Sequence, residues 1–266
     1  MGRSNKACTA AHTELAILTK HDSPEDNNLA NAYSNVGYAL LSVYKAAEGI
    51  KYLDTAVAMA RAHAEPACYR EYNIDRFLRN RGRCRQQMKQ FDQARRDFLE
   101  AEYFQAKIHG PDSHYDGETK HERAKLAAAQ GNLLLAAQLS SEAQALVSTG
   151  KPTHASVMAA LYRRGCVAML QGSAAADDDD TALQHLEKAL VIYRINEPHR
   201  GNGGESARVQ WRISQIWERK GRREEAGRLR EEAERVKTEL LATGDYAVVG
   251  GDEEAGWDAL VGLLYR

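Results

Sequence analysis

Small residues return along this chain at a long, nearly regular step, and that recurrence constrains the fold more than any other feature. Gly37, Gly82, Ala124, Gly165 and Ser214 are separated by 45, 42, 41 and 49 residues. After each comes a second small pair: Gly49 and Ala56, Ala94 and Ala101, Ala136 and Ala143, Ala182 and Ala189, Ala226 and Ala233. Leu53, Phe98 and Leu186 stand in the middle of three of these pairs. Two antiparallel helices, A then B, account for the spacing. A small residue mid-A and another early in B let the two backbones approach. A third, later in B, lets the next A helix dock, and the large residues fill the gaps between. Gly131, Gly172 and Gly221 fall at the A-to-B turns, where a left-handed residue ends a helix cheaply.

Composition agrees with an all-α chain. Aromatic residues are 7% and proline occurs five times, so long helices run uninterrupted. At 266 residues a single compact core is unusual, and repeats or separate domains are expected. The formal net charge of −1 gives no global field toward nucleic acid or a membrane. Cys8, Cys68, Cys84 and Cys166 form no CxxC pair and read as reduced, buried residues. No apolar run is long enough to span a bilayer. The N-terminus lacks the apolar core of a signal peptide, and Lys6 stands where a myristoylation motif needs Ser or Thr. A cytoplasmic location is expected.

The pattern resembles the tetratricopeptide repeat, and its long step resembles the kinesin light chain subtype. That subtype carries Gly-x-Asp-His-Pro-type linkers before its A helices. Gly110-Pro111-Asp112-Ser113-His114 and Gly150-Lys151-Pro152-Thr153-His154 are versions of it, and His21–Asp26 is a looser one. Over roughly residues 10–240 the chain is similar to fungal repeat arrays found at the C-terminus of NTPase-linked receptor proteins, and to standalone relatives of those arrays. The resemblance implies a right-handed α-solenoid of about five antiparallel helix pairs with an extra helix at each end. No GxxxxGK[S/T] phosphate loop occurs, so the NTPase half has no counterpart in this sequence and no nucleotide or other cofactor is expected.

The expected organisation is an N-terminal capping helix in residues 1–26, the repeat array in 27–242, and a linker with a C-terminal capping helix in 243–266. Helix pairs are expected near 27–62, 68–108, 116–148, 153–195 and 204–242. Ser173–Asp180 reads as a five-residue loop insertion, tolerated because loop entropy grows slowly with length. Asn196–Glu205 reads as the most flexible linker. Near the end, Trp257, Leu260, Val261 and Leu264 share one face of a short amphipathic helix. That helix has two possible places: capping the last repeat, or folded back into the groove as a self-ligand.

Linear catalytic signatures are absent. His109, His114 and His121 are the densest histidine cluster. Two of them fall in the linker, and no HxxxH pair is present, so a structural role is expected and no metal. Asp177–Asp180 lacks the alternating ligands of a calcium loop and reads as a solvated charge run at the start of a helix.

Repeat register supplies the candidate site. In such arrays the A helices line the concave face, which here places Asn31, Asn35 and Tyr38 of the first pair on it. The second pair adds Arg76, Arg79, Asn80 and Arg83, and the third His121 and Lys125 beside Glu118 and Glu122. The fourth adds Tyr162 and Arg163, with Cys166, Met169 and Leu170. The fifth adds Arg208, Trp211, Arg212 and Gln215, with Glu218 and Arg219. Eight of the inner positions carry Arg or Lys and three carry Glu. Guanidinium groups beside aromatic rings suit carboxylates attached to apolar bodies. In related tetratricopeptide modules Asn and basic residues at these positions grip peptide carboxylates, and Asn35 and Asn80 match those positions.

The expected function is therefore a binding module for an acidic or carboxylate-bearing peptide, protein or small molecule. Two alternatives stand beside it. One is a freestanding biosynthetic enzyme of cyclase or isomerase type, working in a closed inner cavity with Tyr38, Arg79, His121, Tyr162 or Trp211. The other is a scaffold that self-associates through its terminal helices.

Overall fold

Four A-to-B turns of quite different sequence close in the same way. Lys45, Gln90, Asn132 and Arg222 each donate a backbone N–H to a carbonyl five residues earlier, at 2.9, 2.8, 2.9 and 2.8 Å. The residue before each donor is left-handed: Tyr44, Lys89, Gly131 and Gly221 have φ of 62°, 60°, 77° and 77°. This is the Schellman closure of a helix end. Glycine marks two of the four turns. At Tyr44 and Lys89 the repeat geometry imposes the same conformation on residues with a Cβ.

The structure, a computed structural model, describes residues 4–21, 27–62, 73–148, 155–171, 176–200, 203–249 and 253–261. All regular elements among them are helices. The A helices are α2 (Asn27–Ser42), α4 (Ile74–Gln87), α6 (His114–Ala129), α8 (Ala155–Gln171) and α10 (Gly204–Arg219). Their B partners are α3 (Ala46–Ala62), α5 (Phe91–His109), α7 (Leu133–Ser148), α9 (Ala176–Arg200) and α11 (Arg223–Ala242). Helix α1 (Ser4–His21) precedes them and α12 (Glu253–Asp258) follows. The fold class is all-α, of the helix-pair repeat type. No helix is long and apolar enough to cross a membrane among the described residues. Cys68, Gly172, Leu264 and the Gly150–His154 linker lie outside the described residues, as does the His21–Asp26 linker beyond His21.

The described chain forms two compact units, Ser4–Leu126 and Ala127–Arg266. In the first, α1 packs on α2, α2 on α3, and α4 on both α3 and α5. Gly37 and Gly49 set the α2–α3 crossing. A Cβ on Gly49 would stand 2.8 Å from the Gly37 carbonyl oxygen, and one on Gly37 would stand 2.5 Å from Leu53 Cγ. Phe98 lies against Gly82 in the same way. Behind this contact Arg81 and Arg85 of α4 converge on Asp97 of α5, at 2.7 and 2.8 Å, and Arg81 also reaches Asp54 of α3 at 3.2 Å. The thiol of Cys84, buried beside them, is pushed up to about 12 by that burial, against the opposing pull of Arg83. The Gly110–His114 linker forms a turn with Gly110 and Asp112 at positive φ, and Ser113 Oγ accepts the Asp116 N–H at 3.3 Å to start α6.

In the second unit, α8 pairs with α7 and α9, and α10 packs on α8, α9, α11 and α12. Its largest core joins Met158, Leu161 and Tyr162 of α8 to Leu186 and Tyr193 of α9 and Val209, Ile213 and Ile216 of α10. Leu186 fills the space beside Gly165.

Two sequence expectations are corrected here. The Ser173–Asp180 insertion is in part helical: α9 begins at Ala176, so Asp177–Asp180 stand at the start of a helix, as expected of the charge run, and not in a loop. Nor is that run only solvated: Asp179 is buried and accepts Arg219 at 2.5 Å, while Asp180 meets Lys220 at 2.6 Å. Negative charge in a first helical turn suits the dipole, and the two cations at the end of α10 fix it there. The Asn196–Glu205 linker is likewise mostly helix. Helix α9 continues to Arg200, with Asn196 Nδ2 bonded to the Ile192 carbonyl at 2.8 Å, and α10 starts at Gly204.

Candidate functional site

In the first unit the residues that register assigns to the inner face form a ladder of contacts between successive A helices. Arg76 of α4 donates to Asn31 Oδ1 of α2 at 2.5 Å. Arg79 and Arg83 reach forward to Glu118 and Glu122 of α6, at 3.0 and 2.8 Å. Lys125 meets the second oxygen of Glu122 at 2.9 Å, and Arg83 also bonds Asn80 at 3.2 Å. Asn35 donates to Glu14 of α1 at 3.2 Å. Tyr38 is half-buried and His121 buried.

Burial alone pushes the Glu118 carboxyl up. The Arg79 guanidinium, with help from His114 and Arg83, overcomes it and holds the group at about 2. Glu122 is driven lower still against its burial, by Arg83 and Lys125. The stripe Arg76–Arg79–Arg83 is thus largely compensated from within. Its counter-charges come from the next A helix.

The histidines do not converge. His109 stacks on Tyr115 with ring centroids 4.1 Å apart, and His114 Nε2 lies 3.5 Å from Glu118. Among the described residues no group of His, Cys, Asp and Glu is placed to hold a metal ion.

The second unit gathers its candidates around α10. Arg208 is fully buried, its guanidinium 4.0 Å over the ring of Tyr162, and it reaches Asp258 of α12 at 2.6 Å. Trp211 Nε1 donates to Glu253 at 3.0 Å, and Arg212 pairs with Glu254. The indoles of Trp211 and Trp257 stack at 5.5 Å. Lys237 Nζ of α11 lies over the Trp257 ring, 4.4 Å from its centroid. Arg208, Trp211 and Arg212 of α10 therefore each hold one carboxylate of α12, with an aromatic pair among them. Burial opposes the charge on Arg208, but Tyr162, Asp258 and Tyr193 more than offset it. Burial raises the Tyr162 hydroxyl above the ordinary phenol range.

The remaining members divide. Gln215 accepts Arg212 Nη1 at 3.2 Å, whereas Arg163 on α8 meets no carboxylate among the described residues. The residues that sequence reasoning did not single out are Glu253, Glu254 and Asp258, although the helix that carries them, with Trp257, had folding back into the groove as one of its two expected places. Their signal was present as three carboxylates and one indole in six residues. Register arguments do not reach them, because α12 lies outside the repeat.

No family model matches the chain, and no curated protein matches it. Solved structures do. BtubC (BKLC) from P. vanneervenii superposes with a TM-score of 0.67 at 13% identity, covering 94% of this chain and 96% of that one. A putative kinesin light chain from Podosopora anserina with nearly identical TPR-like repeats gives 0.58 at 17% identity, covering 82% and 98%. Cut9 in the APC/C hetero-tetramer Cut9–Hcn1 gives 0.66 at 17% identity, over 89% of this chain and 38% of that chain. These similarities establish a TPR-type fold.

Proposed function

We propose that this protein is a binding module whose A-helix face receives carboxylate-bearing segments of a protein partner. One observation carries the reading: Arg208, Trp211 and Arg212 already hold Asp258, Glu253 and Glu254 of the chain's own last helix, with Trp257 stacked on Trp211. The chemistry expected from repeat register, a guanidinium beside an aromatic ring, is met by its complement, an acidic segment with an indole. A partner segment of the same character makes the same contacts once α12 has left. TPR-like neighbours that assemble with other proteins, as in the Cut9–Hcn1 complex, fit a protein partner.

The test is a titration of the full chain with a labelled peptide of sequence EEAGWDAL, taken from its own residues 253–260. Saturable binding is expected, weakened by raised salt and by Arg212→Ala, and strengthened when Glu253 and Glu254 are both changed to Gln. Binding indifferent to salt and to Arg212→Ala overturns the reading.

A further inference from the structure

A cavity of about 290 Å³ opens between α8 and α10, with Glu254 of α12 on its wall. Arg163, Cys166 and Met169 line one side, and Arg212 and Gln215 the other. The charges here do not balance. Arg212 has Glu254 as its carboxylate, and that carboxylate is 48% exposed. Arg163 has none among the described residues, and its Nε is buried with no hydrogen-bond partner. Arg212 Nε is in the same condition. Three guanidinium groups thus border one small space: Arg219 is answered by Asp179, Arg212 by the half-exposed Glu254, and Arg163 by no carboxylate among the described residues. The apolar part of the wall is Cys166, Met169 and Leu170, of which the sulfur-bearing pair is deformable.

A planar guanidinium selects a carboxylate by two parallel hydrogen bonds. A volume at the low end of small-molecule pockets, with an apolar floor, selects a short apolar body behind it. We propose that this cavity is a site for a small carboxylate with a short apolar arm. Arg163 takes its carboxylate, and Arg212 joins by exchanging Glu254 for the ligand. Occupation therefore loosens α12, and the Trp211–Trp257 stack reports it. The proposal rests on the reading of this face as a carboxylate receiver, and it adds a second, smaller ligand at a different arginine.

Phenylacetate is the probe, titrated into the full chain while the indole N–H signals of Trp211 and Trp257 are followed by NMR. Benzyl alcohol, which lacks the charge, and inorganic phosphate, which lacks the arm, are run beside it. Saturable binding of phenylacetate is expected, with shifts at both indoles. Glu254→Gln tightens it roughly tenfold by removing the internal competitor, and Arg163→Gln weakens it at least tenfold. Arg163 is half-buried and holds no ion pair among the described residues, so the variant keeps its fold, which circular dichroism checks.

No saturation in both the native chain and Glu254→Gln overturns the site. So does binding unchanged by Arg163→Gln, or phosphate or benzyl alcohol binding as tightly as phenylacetate. The acidic peptide binding while phenylacetate does not overturns the cavity and leaves the peptide face standing. Phenylacetate binding without peptide binding does the reverse.

Discussion

The guanidinium of Arg208 meets the carboxylate of Asp258 at 2.6 Å, across 50 residues of sequence, with none of the Arg208 side chain exposed. An arginine buried to that degree needs its counter-charge, because an uncompensated buried ion costs more than the pair itself contributes. Asp258→Asn is expected to destabilise the chain by about 3 kcal/mol. Asp258→Glu, which keeps the charge, recovers part of the loss. Urea denaturation of the three proteins checks it.

Gly49 is fixed by the approach of two backbones. A methyl group there meets the Gly37 carbonyl oxygen at 2.8 Å, and neither backbone gives way cheaply. The helix-propensity gain of Gly→Ala, about 1 kcal/mol, is outweighed by overpacking of about 1–3 kcal/mol. Gly49→Ala is expected to lower the melting temperature. Gly227, in the second turn of α11 with nothing within 4 Å of a Cβ, is the internal control. Gly227→Ala is expected to raise it, by about 0.5–1 kcal/mol.

Lys89 is exposed and sits at φ 60° in the turn between α4 and α5. Relief of the Cβ clash there is expected to exceed the added flexibility of the unfolded chain. Lys89→Gly then stabilises by about 0.5–1 kcal/mol. Thermal melts of the variant and the parent decide it. Tyr44 is a poorer test, since its half-buried ring is lost with the substitution.

Acid should unravel the ladder in the first unit. The Glu118 carboxyl lies at about 2 in the folded protein, against 4.5 for the free group. Its contribution is therefore complete above pH 4.5 and is lost as the pH falls toward 2. Glu122 acts in the same sense. Glu118→Gln is expected to be less stable than the parent at pH 7 and to converge with it near pH 2. Denaturant midpoints measured across that range read the difference directly.

How far the sequence spoke depended on which physical rule was at work. Close helix packing leaves a trace in residue size, so Gly37, Gly49, Gly82 and Gly165 were legible, and with them the helix pairs. Turn geometry left a trace only where glycine was used, at Gly131 and Gly221 but not at Tyr44 and Lys89. Charge was the least legible. Arg79 and Glu118 share an inner-face register, and register alone does not say whether such residues stand side by side toward solvent or bond to each other. Apolar periodicity picked out Trp257, Leu260 and Val261, which are buried. It is blind to Glu253, Glu254 and Asp258, whose partners are fixed by where α12 lands. Composition overstates the Ser173–Asp180 loop, since α9 begins at Ala176, and it does not reveal that Arg219 and Lys220, 40 residues on, pair with Asp179 and Asp180.

The ladder also fixes the order of the modules. Arg79–Glu118 and Arg83–Glu122 join one A helix to the next, the latter over 39 residues. Helix α2 offers Asn31, Asn35 and Tyr38 on the matching face, and no cation. Excising the second helix pair would set Glu118 and Glu122 against that neutral face, and duplicating it would set Arg79 and Arg83 against copies of themselves. Either product carries buried charge stripped of its cross-helix partner; in the excised chain Glu122 is left to Lys125 and Glu118 to His114. At this junction, gain or loss of a repeat is expected to destabilise the fold, so the ion pairs tie each helix pair to its present neighbour.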